Sequence, residues 1–203
     1  MSDDYLSNYL AQFSAYDVIY GGRVYQEHRP DDPDYHFHWF CGTVREEIPV
    51  EIRNKNPFKS FMTNNFLIRK DVYDKVKMDE SIAGYGHEDT FFAIELKSKG
   101  FRINHIDNAI KHIGIETTEV FLEKSENGVK NLAFLVKEKH VGQSIKLVKF
   151  YRLSKKIGLL FFIKMIVTKR ANAINENFHS PTPDLYWFDL WKLVKLDYYL
   201  NKD

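Results

Sequence analysis

The sequence predicts an α/β chain that ends in a helical tail, and three observations point there. Short apolar runs bounded by turn-forming residues recur at 17–20, 62–70, 101–106 and 109–114, as strands do. Between them, a helix of about three turns opens with Glu88 and Asp89 in its first turn and stops at Gly100 after Lys97 and Lys99. Beyond residue 136 the strand-like runs cease and the chain turns basic and aliphatic. The expected organisation is an α/β domain over 1–136 and a basic amphipathic helical tail over 137–203.

Ser2 or Asp3 caps an opening helix whose apolar face is Tyr5, Leu6, Tyr9, Leu10 and Phe13. Asp3 and Asp4 are adjacent, and capping accounts for them. Asp17-Val18-Ile19-Tyr20 is the first strand, left through Gly21-Gly22-Arg23. A polar loop from Arg29 to Asp34 precedes a helix over 35–47. His36, His38 and Cys41 do not make a metal site, because histidines two apart diverge on a helix and no second ligand pair follows. Asn64 and Asn65 lead into the next strand, and 71–76 is a helical turn. Phe101–Ile106 and Ala109–Gly114 are strands parted by an Asp107-Asn108 turn, and His105 reads as structural. Helical segments at 120–124 and 129–139 cover the sheet.

The densest chemistry lies in Gly84-Tyr85-Gly86-His87-Glu88-Asp89-Thr90. Two glycines flank an aromatic, two carboxylates follow, and the helix begins at once. Unpaired N–H groups and the positive dipole end favour ionised acids in that first turn. A carboxylate on rigid backbone is what a general base requires to accept a hydroxyl proton. Dipole pairing alone also explains acids at this place.

Neighbouring segments extend the pattern. TNNFLIRKDVY (63–73), MDESIAGYGHEDTFFAIEL (78–96) and HIDNAIKHIG (105–114) follow in order. The series resembles the C-terminal half of inverting family 2 glycosyltransferases with the GT-A (nucleotide-diphospho-sugar transferase) fold. It is similar in particular to the galactosyltransferase-type C-terminal region, and the likeness runs from about Asp17 to Leu135. The resemblance implies transfer of a hexosyl group, with inversion, from a nucleotide sugar such as a UDP-sugar to a hydroxyl of a cell-surface or lipid-linked glycan. By the same likeness Asp89 is the base and Glu88 binds the acceptor. Tyr85 and Gly86 form the aromatic-glycine loop against the sugars, although relatives more often carry Trp at the aromatic position. Asn65 borders the sugar pocket, and Arg23 follows the metal-binding strand. His112 is implied as a ligand for Mn²⁺ or Mg²⁺ beneath the donor diphosphate, where a hard cation offsets developing charge.

The likeness lacks the family's N-terminal half, with its nucleotide-binding loop and Asp-x-Asp. The expectation is therefore the acceptor side of an active site, in a truncated or split gene product, a chain with a mis-called start, or a piece that works with a partner chain. The alternative is a non-catalytic remnant or subunit that binds glycan or membrane.

With 203 residues, 44% hydrophobic and 15% aromatic, the chain can bury a sizeable core. Cys41 is the single cysteine, which excludes an internal disulfide. No signal-peptide pattern opens the sequence, and the expected location is cytoplasmic, peripheral on the inner face of the cell membrane. A net charge of +1 hides a segregation, since residues 137–170 hold 10 Lys/Arg against 1 Asp/Glu. The aliphatic run from Ile157 to Val167 is too short for the ~20 residues a membrane span needs. Its apolar face can lie on an anionic membrane surface or pack on the domain. Nucleic acid is disfavoured, because no recognition motif accompanies the basic residues. Asp184 is placed to cap a last aromatic helix, in which Trp187 and Trp191 suit a lipid interface or a core.

Overall fold

A computed structural model describes residues 4–79, 86–139, 142 and 145–202. The chain forms two compact units, the first drawn from Met1–Arg29, Cys41–Ile82 and Glu88–Ile115, the second from Pro30–Phe40, Ala83–His87 and Glu116–Asp203. This division is not a cut at 136/137, because one long helix runs through that point without a break.

The first unit is built on β1 (Val18–Tyr20), whose three residues are all buried, as a central strand requires. On one side β1 pairs antiparallel with β3 (Phe66–Ile68), Val18 facing Ile68 and Tyr20 facing Phe66. On the other it pairs parallel with β4 (Ile103–His105), Val18 facing Ile103 and Tyr20 facing His105. The two parallel strands are each extended by a short one. β2 (Arg23–Val24) and β5 (Ile110–Lys111) form a second parallel pair just past their carboxyl ends.

Helices cover this sheet. α1 (Tyr5–Leu10) starts after Asp4, which makes no side-chain cap, while the expected caps Ser2 and Asp3 lie outside the described residues. Its buried residue is Tyr9, whereas Leu6 and Leu10 face outward at 71% and 67% exposure. The tyrosines turn inward because their hydroxyls bond to Asn65. α2 (His36–Arg45), α3 (Val50–Lys55) and α4 (Lys70–Val76) follow. α5 (Glu88–Ser98) begins at the paired acids and buries Phe92, Ala93 and Leu96 along one face. These pack with Val18, Tyr20, Phe61, Val72 and Ile103 into the core of the unit. Full burial of Phe92 and Leu96 contributes about 1.5–3 kcal/mol each. That packing anchors the helix, and so anchors Glu88 and Asp89 at its start.

The second unit is helical. α6 (Thr118–Glu138) is continuous where two segments were expected. Gly128 weakens its middle, but the flanking Val129, Leu132 and Ala133 are buried, and packing outweighs propensity. α7 (Lys146–Lys156), α8 (Leu159–Lys169), α9 (Ala171–Phe178) and α10 (Leu185–Asn201) complete it. Asp184 caps α10 by accepting from the Tyr186 N–H at 2.8 Å. Trp191 stacks on Phe188 at 5.9 Å within an aromatic cluster that includes Phe178, so this tryptophan is a packing residue. His36 contacts the Pro30 carbonyl at 2.8 Å, and His38 accepts from the Glu116 N–H while stacking on Phe121. Both histidines serve the fold.

Candidate active site

Ligands of open α/β sheets gather outside the carboxyl ends of parallel strands. In the first unit that end is defined by Tyr20 and His105, and the chain there is held by an unusual number of polar contacts. Asn65 is buried at its centre. Its Oδ1 accepts from Tyr5 at 2.5 Å and Tyr9 at 2.6 Å, and its Nδ2 donates to the carbonyls of Gly22 at 2.7 Å and Asn108 at 2.9 Å. The side chain implied to border a sugar pocket thus spends its bonding capacity inside the protein. A Cβ on Gly21 would lie 2.4 Å from the Tyr9 hydroxyl and 2.6 Å from the Asn108 carbonyl, so only glycine fits beneath this clamp.

Arg53 grips the same strand ends from α3. It is buried, donates to the carbonyls of Ile48 at 2.9 Å and Ile106 at 3.1 Å, and meets His105 Nδ1 at 3.2 Å. Its guanidinium also lies over the Tyr20 ring, 5.2 Å from the centroid. Burial lowers the pKa of Arg53 from its usual value. His105 is pulled down to about 4, first by burial and then by the Arg53 charge, although the Pro57 carbonyl opposes the shift. Its Nδ1 accepts from Arg53 and its Nε2–H donates to Pro57, consistent with a neutral structural ring.

The acids lie at the start of α5. Asp89 is half-buried, and its Oδ1 accepts from the Thr63 backbone N–H at 3.1 Å and from the Thr63 hydroxyl. Its Oδ2 makes no hydrogen bond among the described residues. One oxygen is anchored and the other is available, as a positioned base requires. Glu88 Oε2 is buried with no hydrogen-bond partner among the described residues. Such an orphan acceptor costs about 1–3 kcal/mol unless a donor reaches it.

Arg23 belongs to a neighbouring cluster. It pairs with Glu46, which also accepts from the Tyr25 hydroxyl at 2.5 Å. Burial works against the Arg23 charge, but Glu46 and Tyr25 outweigh it and raise the pKa. Arg23 Nε is buried without a partner among the described residues. His112 packs edge-on against the Tyr25 ring at 5.1 Å, and its backbone N–H donates to Val24. Tyr20 links this cluster to Asp89. Burial drives its phenol up to about 12, Arg23 and Arg53 pull it back, and Glu46 and Asp89 push it up. The Tyr20 hydroxyl meets Asn64 Oδ1 at 3.5 Å, one residue from the Thr63 that holds Asp89.

Gly86 belongs to the second unit. Its carbonyl accepts from Asn131 at 3.3 Å, its φ is 98°, and a Cβ there would lie 2.8 Å from Gly128 Cα. It packs closely against α6 within that unit. Tyr85 lies outside the described residues. Among the described residues no three His, Cys, Asp or Glu side chains assemble into a metal-holding group. Glu46, which accepts from the Tyr25 hydroxyl, is committed to Arg23 and Tyr25. The residues present do not by themselves make a cation site around His112.

Thr63, Tyr20, Glu46, Tyr25 and Arg53 did not stand out in the sequence. Arg53 carried no distinct signal, because its partners are carbonyls that sequence patterns do not show. No protein-family profile, curated protein or solved structure matches the chain.

Proposed function

We propose that the first unit carries the acceptor side of a glycosyl-transfer site. The observation that supports this most is Asp89, held through one carboxylate oxygen by Thr63 on the first turn of a core-anchored helix. In this reading Oδ2 takes the proton of a sugar hydroxyl as that oxygen attacks the anomeric carbon of a nucleotide sugar, and the nucleoside diphosphate leaves. Glu88, beside Asp89 on the same helical turn, binds the acceptor in this reading. Arg53 places positive potential at those strand ends, where a diphosphate would benefit from it, whereas the Arg23 charge is balanced by Glu46. Asn65 acts as the clamp that shapes the floor. Mn²⁺ or Mg²⁺ would enter only as a companion of the donor diphosphate.

The test is calorimetry of the chain, alone and with a nucleotide-binding half supplied in trans, against a panel of UDP-sugars and glycan acceptors. Acceptor binding by the chain, with transfer on supplying the second half, is the expected result. Glycan binding without transfer in any assembly would assign the chain to a binding role. Absence of both would reject the reading.

A further inference from the structure

The corner between α7 and α8 presents an apolar surface that the rest of the second unit leaves uncovered. α8 is apolar nearly all round, and such a helix has to bury both sides. Leu160, Ile163 and Val167 point inward, but Phe161 and Phe162 stand 69% and 55% exposed. At the end of α7, Leu153 and Ile157 are 55% and 62% exposed. Four large side chains therefore project around the turn at Gly158.

Charge is arranged to suit this surface. Lys164 is the one charged residue between 159 and 168. It is drawn to Asp197 at 2.5 Å, and Asp197 is buried and further held by Tyr151 and Asn201. The apolar corner thus carries no unpaired charge at its centre. Around it, Lys155 and Lys156 end α7, and Lys169 and Arg170 end α8. The surrounding 137–170 stretch, with 10 basic residues to 1 acidic, faces any partner as a cation.

We infer that the α7–α8 corner docks the chain on an anionic lipid surface. Phe161, Phe162, Leu153 and Ile157 enter the acyl boundary, while the lysines meet headgroup phosphates. A helix of 11 residues is about 16 Å long, well under the ~30 Å hydrocarbon core, so it lies in the interface and does not cross. Among the described residues no helix is long and apolar enough to cross a membrane. A second copy is a poorer occupant, because it would set two such basic stretches against each other. The inference is independent of the glycosyl-transfer reading.

The test is flotation of the full chain with phosphatidylcholine vesicles and with mixed phosphatidylcholine/phosphatidylglycerol vesicles. The chain should float with the anionic vesicles and be released by salt. F161D/F162D should weaken binding by about tenfold or more, and K155Q/K156Q should flatten the preference for anionic lipid. L153E/I157E attacks the same corner from α7 and serves if the first variant misfolds, with circular dichroism as the check. Undiminished binding by a folded corner variant would overturn the inference. So would capture of an oligonucleotide in preference to vesicles, or dimerisation abolished by F161D/F162D without vesicle binding.

Discussion

Thr63 holds Asp89 by two hydrogen bonds to one carboxylate oxygen, from its backbone N–H at 3.1 Å and from its hydroxyl. The backbone bond fixes the carboxylate to the loop before β3, and the hydroxyl sets its rotation. In an active assembly Asp89→Asn should lower turnover by about 10²-fold or more, as loss of a general base does. Thr63→Val keeps the backbone bond and should cost a smaller factor, about tenfold, through misorientation. Steady-state rates of both variants check the order; equal losses would show that Thr63 does more than orient.

Asn65 should prove a stability residue. Asn65→Ala leaves the Asn108 carbonyl and the Tyr5 hydroxyl without their partner, while the Gly22 carbonyl keeps the Ile110 N–H and the Tyr9 hydroxyl keeps the backbone carbonyl of residue 65. At about 1–3 kcal/mol for a buried group left unsatisfied, the loss should be about 1–3 kcal/mol. Urea denaturation measures it. A midpoint unchanged from wild type would show that water replaces the amide.

His105 makes the first unit sensitive to acid. Its folded pKa of about 4 lies below the ordinary 6.5, so between those values the unfolded chain binds the extra proton. Its neutral-ring contribution is complete above pH 6.5 and is lost as pH falls toward 4. His105→Gln does not titrate, so its urea midpoint should change less than that of wild type across this window. Parallel pH profiles would remove His105 as the source.

Gly86 should not tolerate a side chain. A Cβ would meet Gly128 Cα at 2.8 Å, and φ of 98° is strained for any other residue. Gly86→Ala should destabilise the second unit by about 1–3 kcal/mol. Thermal melting checks the direction, and a variant as stable as wild type would mean that the loop moves aside.

Much of the scaffold was legible. β1, β3, β4 and β5 fall within the runs read as strands, and α5 starts at Glu88. Those features depend on apolar periodicity and turn residues, which act over a few positions. α6 is one helix where segments at 120–124 and 129–139 were expected, because burial of Val129, Leu132 and Ala133 carries it through Gly128. The outward Leu6 and Leu10 were misjudged for a related reason, since hydrogen bonds from Tyr5 and Tyr9 to Asn65 decide which face of α1 turns in.

What the sequence determined by itself is the place of β1, β3, β4 and β5, the placing of Glu88 and Asp89 on a first helical turn, and the basic, aliphatic character of the tail. Tertiary structure alone decided how the polar side chains are used. It closed Asn65 onto Tyr5, 60 positions away, and Asn8 onto Asn108, 100 positions away, and buried Arg53 among carbonyls. Local propensity acts between near neighbours, whereas a buried polar atom takes whichever partner the packed chain brings within about 3 Å.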